Sequence, residues 1–296
     1  MLYQILLSMR PKQWVKNSLV FAGIVFSGRL FDPYYILLNL GTFAVFSMLS
    51  GAVYLLNDVR DVEKDRLHPS KKFRPIASGK LPKGVAIAAC VVAASLGMGG
   101  AIALWATNQI VSVHLITCSA IYLALQIAYS MALKNVVIVD VMVLSSGFLL
   151  RLLAGGFTLN LVPSSWVIIC TTLLALFLGF GKRRHELTLM QEGATKHRAA
   201  LKDYSPYFLD QMIAVVTAST VVAYALYTMS PEVIEKLHTD KMNLTIPFVL
   251  YAIFRYLYLV HQTEEGGNPT RALLTDVPIM IDIAAWFAAV VLILYF

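Results

Sequence analysis

The chain has 296 residues, 58% of them apolar and only 14% charged, with a mean hydropathy of +0.70. Soluble domains carry roughly a quarter charged residues, so a water-soluble globule, a disordered chain, a coiled-coil or collagen rod and a solvated nucleic-acid-binding domain are all excluded. The net charge of +7 therefore belongs to a polytopic membrane protein, in which excess Lys and Arg first reports orientation.

With about 20 mostly apolar residues needed per crossing, the sequence predicts an all-α integral membrane bundle of nine transmembrane helices. They lie near 14–31, 35–57, 84–105, 110–132, 136–157, 163–181, 208–229, 245–262 and 278–296. The N-terminal segment through Asn17 has no charged start followed by an apolar stretch and a small-residue cleavage site, so it reads as retained. Cys90, Cys118 and Cys170 stand singly in apolar runs, which points to packed thiols and not to a disulfide framework or a zinc site. Nineteen of the 24 Lys and Arg fall on one side of this alternation. The positive-inside rule places that side, and the N-terminus, in the cytoplasm, with the C-terminus outside.

Two long polar loops remain, 58–83 and 182–207, both on the cytoplasmic side. They follow the second and sixth helices, a fourfold spacing that suggests two related four-helix halves within one transmembrane domain over 1–296. The first loop opens Asn57-Asp58-Val59-Arg60-Asp61-Val62-Glu63-Lys64-Asp65-Arg66. If the second helix continues, Asp58, Asp61 and Asp65 share a face. Hard divalent cations take oxygen ligands, and Mg²⁺ typically binds one or two carboxylates plus waters and phosphates. The segment therefore reads as a Mg²⁺–diphosphate cradle. The plain alternative is a solvated helix end, since Arg60, Lys64 and Arg66 are interleaved.

Beyond it, Pro69, Pro75, Gly79 and Pro82 shape a loop that carries Lys71, Lys72 and Arg74. Carboxylates for a metal beside fixed cations are the combination a polyphosphate needs. His68 is either a general acid or a local hydrogen-bonding residue.

The run N-D-x-x-D-x-x-x-D-R-x-H-P-x-K-x-x-R-P-I-A-S-G resembles the first aspartate-rich motif of the UbiA-type intramembrane prenyltransferase superfamily. The Tyr129-Ser130-x-x-Leu133-Lys134 segment and the loop positions fit as well. The resemblance implies a nine-helix bundle with a Mg²⁺-dependent site at its cytoplasmic end. Most members carry a second aspartate-rich motif after the sixth helix, where this chain has Gly181-Lys182-Arg183-Arg184-His185-Glu186-Leu187. Such a charge reversal suits a lipid phosphate or a phosphorylated sugar better than a neutral aromatic acceptor.

With R10-P-K-Q-W-x-K-N17 and GKRxxE, the chain resembles one branch, the decaprenyl-phosphate phosphoribosyltransferases. That branch implies Mg²⁺-dependent transfer of 5-phosphoribose from phosphoribosyl pyrophosphate (PRPP) to a polyprenyl phosphate in the bacterial plasma membrane. Pyrophosphate is released, and the product feeds arabinose donors for the cell envelope. A homo-oligomer is compatible with this reading, and nucleic acid is not among the expected partners.

On this reading Asp58, Asp61 and Asp65 are the catalytic and metal-binding residues, and Asn57 contacts the ribose or a metal ligand. Arg66, Lys71 and Arg74 take the diphosphate or 5-phosphate. Lys16, Asn17, Lys134, Lys182 and Arg183 hold the lipid or ribose phosphate. Charges inside spans are costly and often functional. Asp140, about one turn into the fifth helix, is expected to orient Lys134 or a ribose hydroxyl. Arg151 lies about 16 Å further along nearly the same face and is expected to be structural. Arg255 and Asp282 are expected to form an ion pair. The runner-up function is a UbiA-type prenyltransferase with a prenyl diphosphate donor and an aromatic or other small acceptor. A secondary transporter would place its ionisable site near mid-membrane, whereas here the dense charge lies in the loops.

Overall fold

A computed structural model of the protein describes residues 1–68, 70–191, 201, 203–262, 272 and 274–296. The described residues form helices, turns and connecting segments only. The long helices are α1 (Pro33–Arg60), α2 (Lys83–Thr107), α3 (His114–Met131), α4 (Val139–Thr158), α5 (Ser165–Gln191), α6 (Pro206–Met229), α7 (Ile246–Gln262) and α8 (Val277–Tyr295). All eight are long and apolar enough to cross a membrane, α7 with the 3₁₀ turn Lys241–Thr245 that leads into it. The protein is a multi-pass membrane protein.

Local chemistry opens several of these helices. The Asp32 carboxylate accepts from the Tyr34 N–H at 2.9 Å ahead of Pro33. The Ser205 hydroxyl oxygen accepts from Phe208 N–H at 3.1 Å ahead of Pro206. Asp276 caps Ile279 N–H at 3.0 Å. Each cap satisfies an N–H that has no partner inside its helix, and proline in the first turn costs no hydrogen bond.

Two expectations about the helices and loops are corrected here. The predicted span 14–31 is not one long α-helix. Residues Pro11–Phe21 form a 3₁₀-helix, followed by a four-residue α-turn (Ala22–Val25) and a reversal at Gly28, whose φ is +72°. Arg29 stacks over Tyr35 at one end of α1, Asn17 donates to Ser47 and Ser50 midway, and Arg10 touches Asp58 at the other end. The segment therefore runs back along α1. From Tyr35 to Asp58 that helix rises about 35 Å, whereas nineteen α-helical steps would rise only about 28 Å. The 3₁₀ rise of about 2.0 Å per residue stretches the segment to fit. The polar Lys12, Gln13, Lys16, Asn17 and Ser18 also leave it too short an apolar run for a regular spanning helix.

The second correction concerns the loop expected at 182–207. α5 runs on to Gln191, so Lys182, Arg183 and Glu186 are helical. The stretch GKRRHELTLMQ is rich in good helix formers. Glu186 also lies three and four residues beyond Arg183 and Lys182, the spacing that pairs side chains on a helix.

The described residues gather into two interleaved units. Unit 1 comprises Met1–Ile24, Arg29–Ala132 and Leu150–Val162, and unit 2 comprises Val25–Gly28, Leu133–Leu149 and Pro163–Phe296. In unit 1, α1 packs along α2 and the 3₁₀ segment. One buried cluster there joins Phe46, Leu49, Leu115, Tyr122 and Ala154, and a second joins Leu55, Val62, Ile76 and Leu81. In unit 2, α5, α6, α7 and α8 enclose Phe177, Leu209, Ile253 and Tyr256.

Gly155 faces the Val20 backbone so closely that an added Cβ would lie 2.0 Å from the Val20 carbonyl oxygen. Backbone cannot step aside as a flexible side chain can. Gly155→Ala should therefore lower the melting temperature in detergent, by an overpacking cost of about 1–3 kcal/mol or more. An unchanged melt would show that the 3₁₀ segment is free to shift.

The expected Arg255–Asp282 pair is also corrected: Arg255 pairs with Asp276, at 3.2 and 2.9 Å. Asp276 caps α8 and offers both oxygens, so it makes a two-pronged contact with the guanidinium. Its hydrogen bonds from Arg255 hold the Asp276 carboxyl below the usual carboxylate range.

Candidate active site

In unit 1 the acidic motif straddles the end of α1. α1 stops at Arg60, Asp61 forms the cap, and a short helix, Val62–Arg66, follows. The backbone pattern nevertheless carries through the break. Asp61 N–H donates to Asn57 C=O at 2.9 Å, and Asp65 N–H donates to Asp61 C=O at 2.8 Å. Asn57, Asp61 and Asp65 thus lie one turn apart along one stripe. Asp58, one residue round from Asn57, joins Asp65 by a different route.

That route is Arg74. Its Nη1 donates to Asp58 Oδ1 at 3.1 Å and to Asp65 Oδ2 at 2.7 Å. A second guanidinium, that of Arg10, bonds the same Asp58 oxygen and lies over the Tyr54 ring, 4.7 Å from its centroid. Arg10 adopts the left-handed conformation (φ 55°, ψ 66°) immediately before Pro11. The Arg74 loop is fixed by its neighbours: Ile76 and Leu81 are buried in the unit 1 core. Leu81 N–H donates to Pro75 C=O at 2.9 Å, and Gly79 supplies the positive φ of the turn.

Other expected site residues are placed as follows. Arg66 is exposed, donating to Ala77 C=O at 3.3 Å and pairing with Glu63 at 3.2 Å. Lys71 is half-buried in the turn Lys71–Phe73. His68 Nδ1 accepts from the N–H groups of Ser70 and Lys71, at 3.2 and 3.3 Å, which is the local role. Lys16 is half-buried. Asn17 is fully buried. Its amide donates to Ser47 Oγ at 3.1 Å, and its oxygen accepts from Arg151 Nε at 2.7 Å. Arg151 also donates to Tyr122 OH at 2.8 Å. Asn17 therefore sits inside a buried polar network beside α1.

The carboxylates can be tested for a hard cation on this geometry alone. Oxygens from two carboxylates already converge within 3.1 Å of one cationic nitrogen. Among the described residues no three His, Cys, Asp or Glu side chains are arranged to hold an ion by themselves. Two carboxylates are nevertheless within what Mg²⁺ accepts, because it completes its shell with waters and phosphate oxygens. The donor set fits.

Unit 2 holds a separate ionic cluster. Arg183 is fully buried. Its Nε donates to Asp140 Oδ2 and its Nη1 to Glu186 Oε2, both at 2.5 Å. Tyr204 OH donates to Asp140 Oδ1 at 2.8 Å and accepts from Ile138 N–H at 2.7 Å. Burial, then the Asp140 carboxylate, pushes the Tyr204 hydroxyl well above its usual range, so it stays a donor. Asp140 thus anchors Arg183 and Tyr204, where sequence had it orienting Lys134 or a ribose hydroxyl. Arg183 is enclosed by acceptors and not turned outward. Arg184 pairs with Asp210 at 3.0 Å, and Lys182 lies 3.9 Å from Glu186 and is partly exposed. Lys134 is half-buried in the turn Leu133–Asn135.

Sequence reasoning left Arg10, Tyr54, Glu186 and Tyr204 off the list of site residues. Arg10 and Glu186 stood in quoted motifs, but nothing local links Arg10 to an aspartate 48 residues away.

The profile of the UbiA prenyltransferase family matches residues 18–265. A decaprenyl-phosphate phosphoribosyltransferase of Corynebacterium glutamicum is 35% identical over 294 residues, 97% of this chain and 86% of that protein. One from Mycolicibacterium smegmatis is 34% identical over 302 residues, 98% of this chain and 92% of that protein. Among solved structures, a UbiA homolog from Archaeoglobus fulgidus bound to GPP and Mg²⁺ superposes with a TM-score of 0.73 at 17% identity, covering 99% of this chain and 100% of that one. The fold is shared and the sequence match spans nearly the whole chain, so this protein is a transferase enzyme that belongs to the UbiA prenyltransferase family.

Proposed function

We propose that the protein transfers 5-phosphoribose from PRPP to a polyprenyl phosphate, releasing pyrophosphate, at the carboxylate cluster of unit 1. One observation carries the reading. Two buried carboxylates converge on a single cationic nitrogen, with a second guanidinium on one of them. The relatives' names supply the substrate class. The Archaeoglobus homolog, bound to Mg²⁺ and a diphosphate-bearing ligand, supports Mg²⁺ as the ion.

The acceptor phosphate is ionised at neutral pH and attacks C1 of the ribose. A C1–O bond to the acceptor forms as the C1–O bond to pyrophosphate breaks, and pyrophosphate leaves with the electron pair. The nucleophile is already an anion, so no general base is required. Mg²⁺ held at this cluster would supply charge neutralisation for the departing pyrophosphate. Asp58, Asp61 and Asp65 would hold it, with Asn57 on the same stripe as a hydrogen-bonding partner. Arg66, Lys71 and Arg74 contact the donor's phosphates, and Lys16 serves the same purpose from the 3₁₀ segment. Asn17 acts through Arg151, whose guanidinium it fixes. In unit 2, Lys134 and Lys182 are proposed as phosphate-contacting cations, and Arg183 as the residue that sets Glu186.

We further read the chain as one domain of nine crossings, the 3₁₀ segment being the first, in a bacterial plasma membrane. Positive-inside placement of 19 cations puts the carboxylate end of α1 in the cytoplasm. The product on this reading is an arabinan precursor.

The test is direct. Purified protein with Mg²⁺, ribose-labelled PRPP and a polyprenyl phosphate should place label in the lipid extract and release pyrophosphate. No lipid label, with prenyl transfer from GPP to an aromatic acid instead, would overturn the proposal in favour of prenyl transfer.

A further inference from the structure

We infer that Arg10 and Arg74 make metal binding conditional on the diphosphate, an inference that rests on the carboxylate cluster being the donor site proposed above. The burial of the partners is unequal. The Asp58 and Asp65 side chains are 2% and 7% exposed, whereas the Arg10 and Arg74 side chains are each 28% exposed. The carboxylates are therefore fixed by packing, while the two long Arg side chains have room to swing.

Arg74 Nη1 occupies the point on which Asp58 and Asp65 converge. A Mg²⁺ ion bound there would need its oxygens at about 2.0–2.1 Å, a space that cannot also hold the guanidinium. A divalent ion arriving alone would meet two resident positive charges across a partly buried site, and like charges at such range repel. A diphosphate changes that balance. Its oxygens offer each guanidinium a charge-assisted, two-pronged acceptor, which draws both arginines off the aspartates as negative charge arrives. The freed carboxylates then receive the ion. Ion and diphosphate consequently bind as a pair, and each must raise the affinity of the other by the same factor. Arg10 is a positioning residue in this scheme. It guards Asp58, and the stacked Tyr54 ring gives its cation a second resting place.

The competing account is that these are plain ion pairs that brace the 71–81 loop. It predicts that metal affinity is indifferent to diphosphate. The experiment is Mn²⁺ binding to the full chain by electron paramagnetic resonance, with and without saturating inorganic pyrophosphate. The Mn²⁺–pyrophosphate complex in protein-free buffer is subtracted.

Pyrophosphate should tighten Mn²⁺ binding by roughly tenfold or more, within the usual range of coupling between sites. Arg74→Gln should bind Mn²⁺ alone more tightly than the native protein and lose most of the pyrophosphate effect. Arg10→Lys should give a partial version of both, and the native comparison stands even if a variant misfolds. Mn²⁺ affinity unchanged by pyrophosphate overturns the inference, as does an Arg74→Gln protein that folds yet binds Mn²⁺ as the native does. The two readings fail separately. Ribosyl transfer without coupling leaves the function standing, and coupling without ribosyl transfer leaves the guarding arginines serving another diphosphate.

Discussion

Asp65→Asn should reduce transfer at saturating PRPP by roughly 10²–10³-fold, the scale on which removing one charge-stabilising group slows an enzyme. Asparagine keeps the shape and one acceptor oxygen, so Val62–Arg66 should still form and still pack through Val62. It deletes the charge that faces Arg74 Nη1 at 2.7 Å and, on the proposed mechanism, an anionic ligand to the metal. The apparent requirement for Mg²⁺ should rise with the loss of rate, because the change acts on the ion and not on the lipid. Asp58→Asn should behave alike, since the same nitrogen bridges both side chains. The check is steady-state transfer across a Mg²⁺ titration, alongside a thermal melt. Near-native rates in both variants would remove the carboxylate cluster from the mechanism.

The second large effect is expected on stability. Arg183→Met should destabilise the protein by about 3–5 kcal/mol, the usual cost of removing one partner from a buried ion pair. The Arg183 and Asp140 side chains are 0% and 1% exposed. After the substitution Asp140 would lose its guanidinium partner and keep the hydrogen bond from Tyr204. Lysine should not rescue it, because Arg183 serves Asp140 and Glu186 from two different nitrogens, a fork that an ammonium cannot reproduce. Lys182→Ala is the contrast. Its partly exposed ammonium lies 3.9 Å from Glu186, so its loss should leave the melting temperature within about 1 °C, a surface ion pair being worth little. It should raise the apparent KM instead. If Arg183→Met melts like the native protein, or Lys182→Ala leaves KM unchanged, the division of labour drawn between neighbouring cations is wrong.

The sequence made the long helices legible because composition governs them. An apolar run of some 20 residues has few alternatives in a bilayer, and eight of nine predicted spans correspond to helices long and apolar enough to cross. The first escaped because its form depends on what it lies against. Only α1 sets the distance that Pro11–Phe21 must cover. The acidic motif was readable for a similar local reason, since its residues stand in one short run. The face expected to be shared by Asp58, Asp61 and Asp65, however, supposed a helix that instead breaks at Asp61. The turn-by-turn stripe of Asn57, Asp61 and Asp65, and the separate tie of Asp58 to Asp65, needed the break at Asp61 to become visible.

Ion-pair partners were the poorest reading. Lys182-Arg183-Arg184 looked like a basic patch with one acid, Glu186, because two of its other acids lie far off in sequence, at Asp140 and Asp210. Arg255 was matched with Asp282 when the helix cap Asp276 stood nearer. Charge content is local information, whereas charge compensation belongs to the packed structure.

Arg10 meets an aspartate 48 residues further along the chain, and Arg74 meets the same aspartate from 16 residues beyond it. In a nascent chain the 3₁₀ segment therefore has no fixed mate until α1 and the following loop have emerged. Deleting residues through Phe21 would accordingly remove a packing partner of α1 and one cation of the Asp58 cluster in one stroke. A bulky insertion just ahead of Arg10 would crowd the Asp58 cluster, so tags for purification or topology mapping belong at the far end of α8.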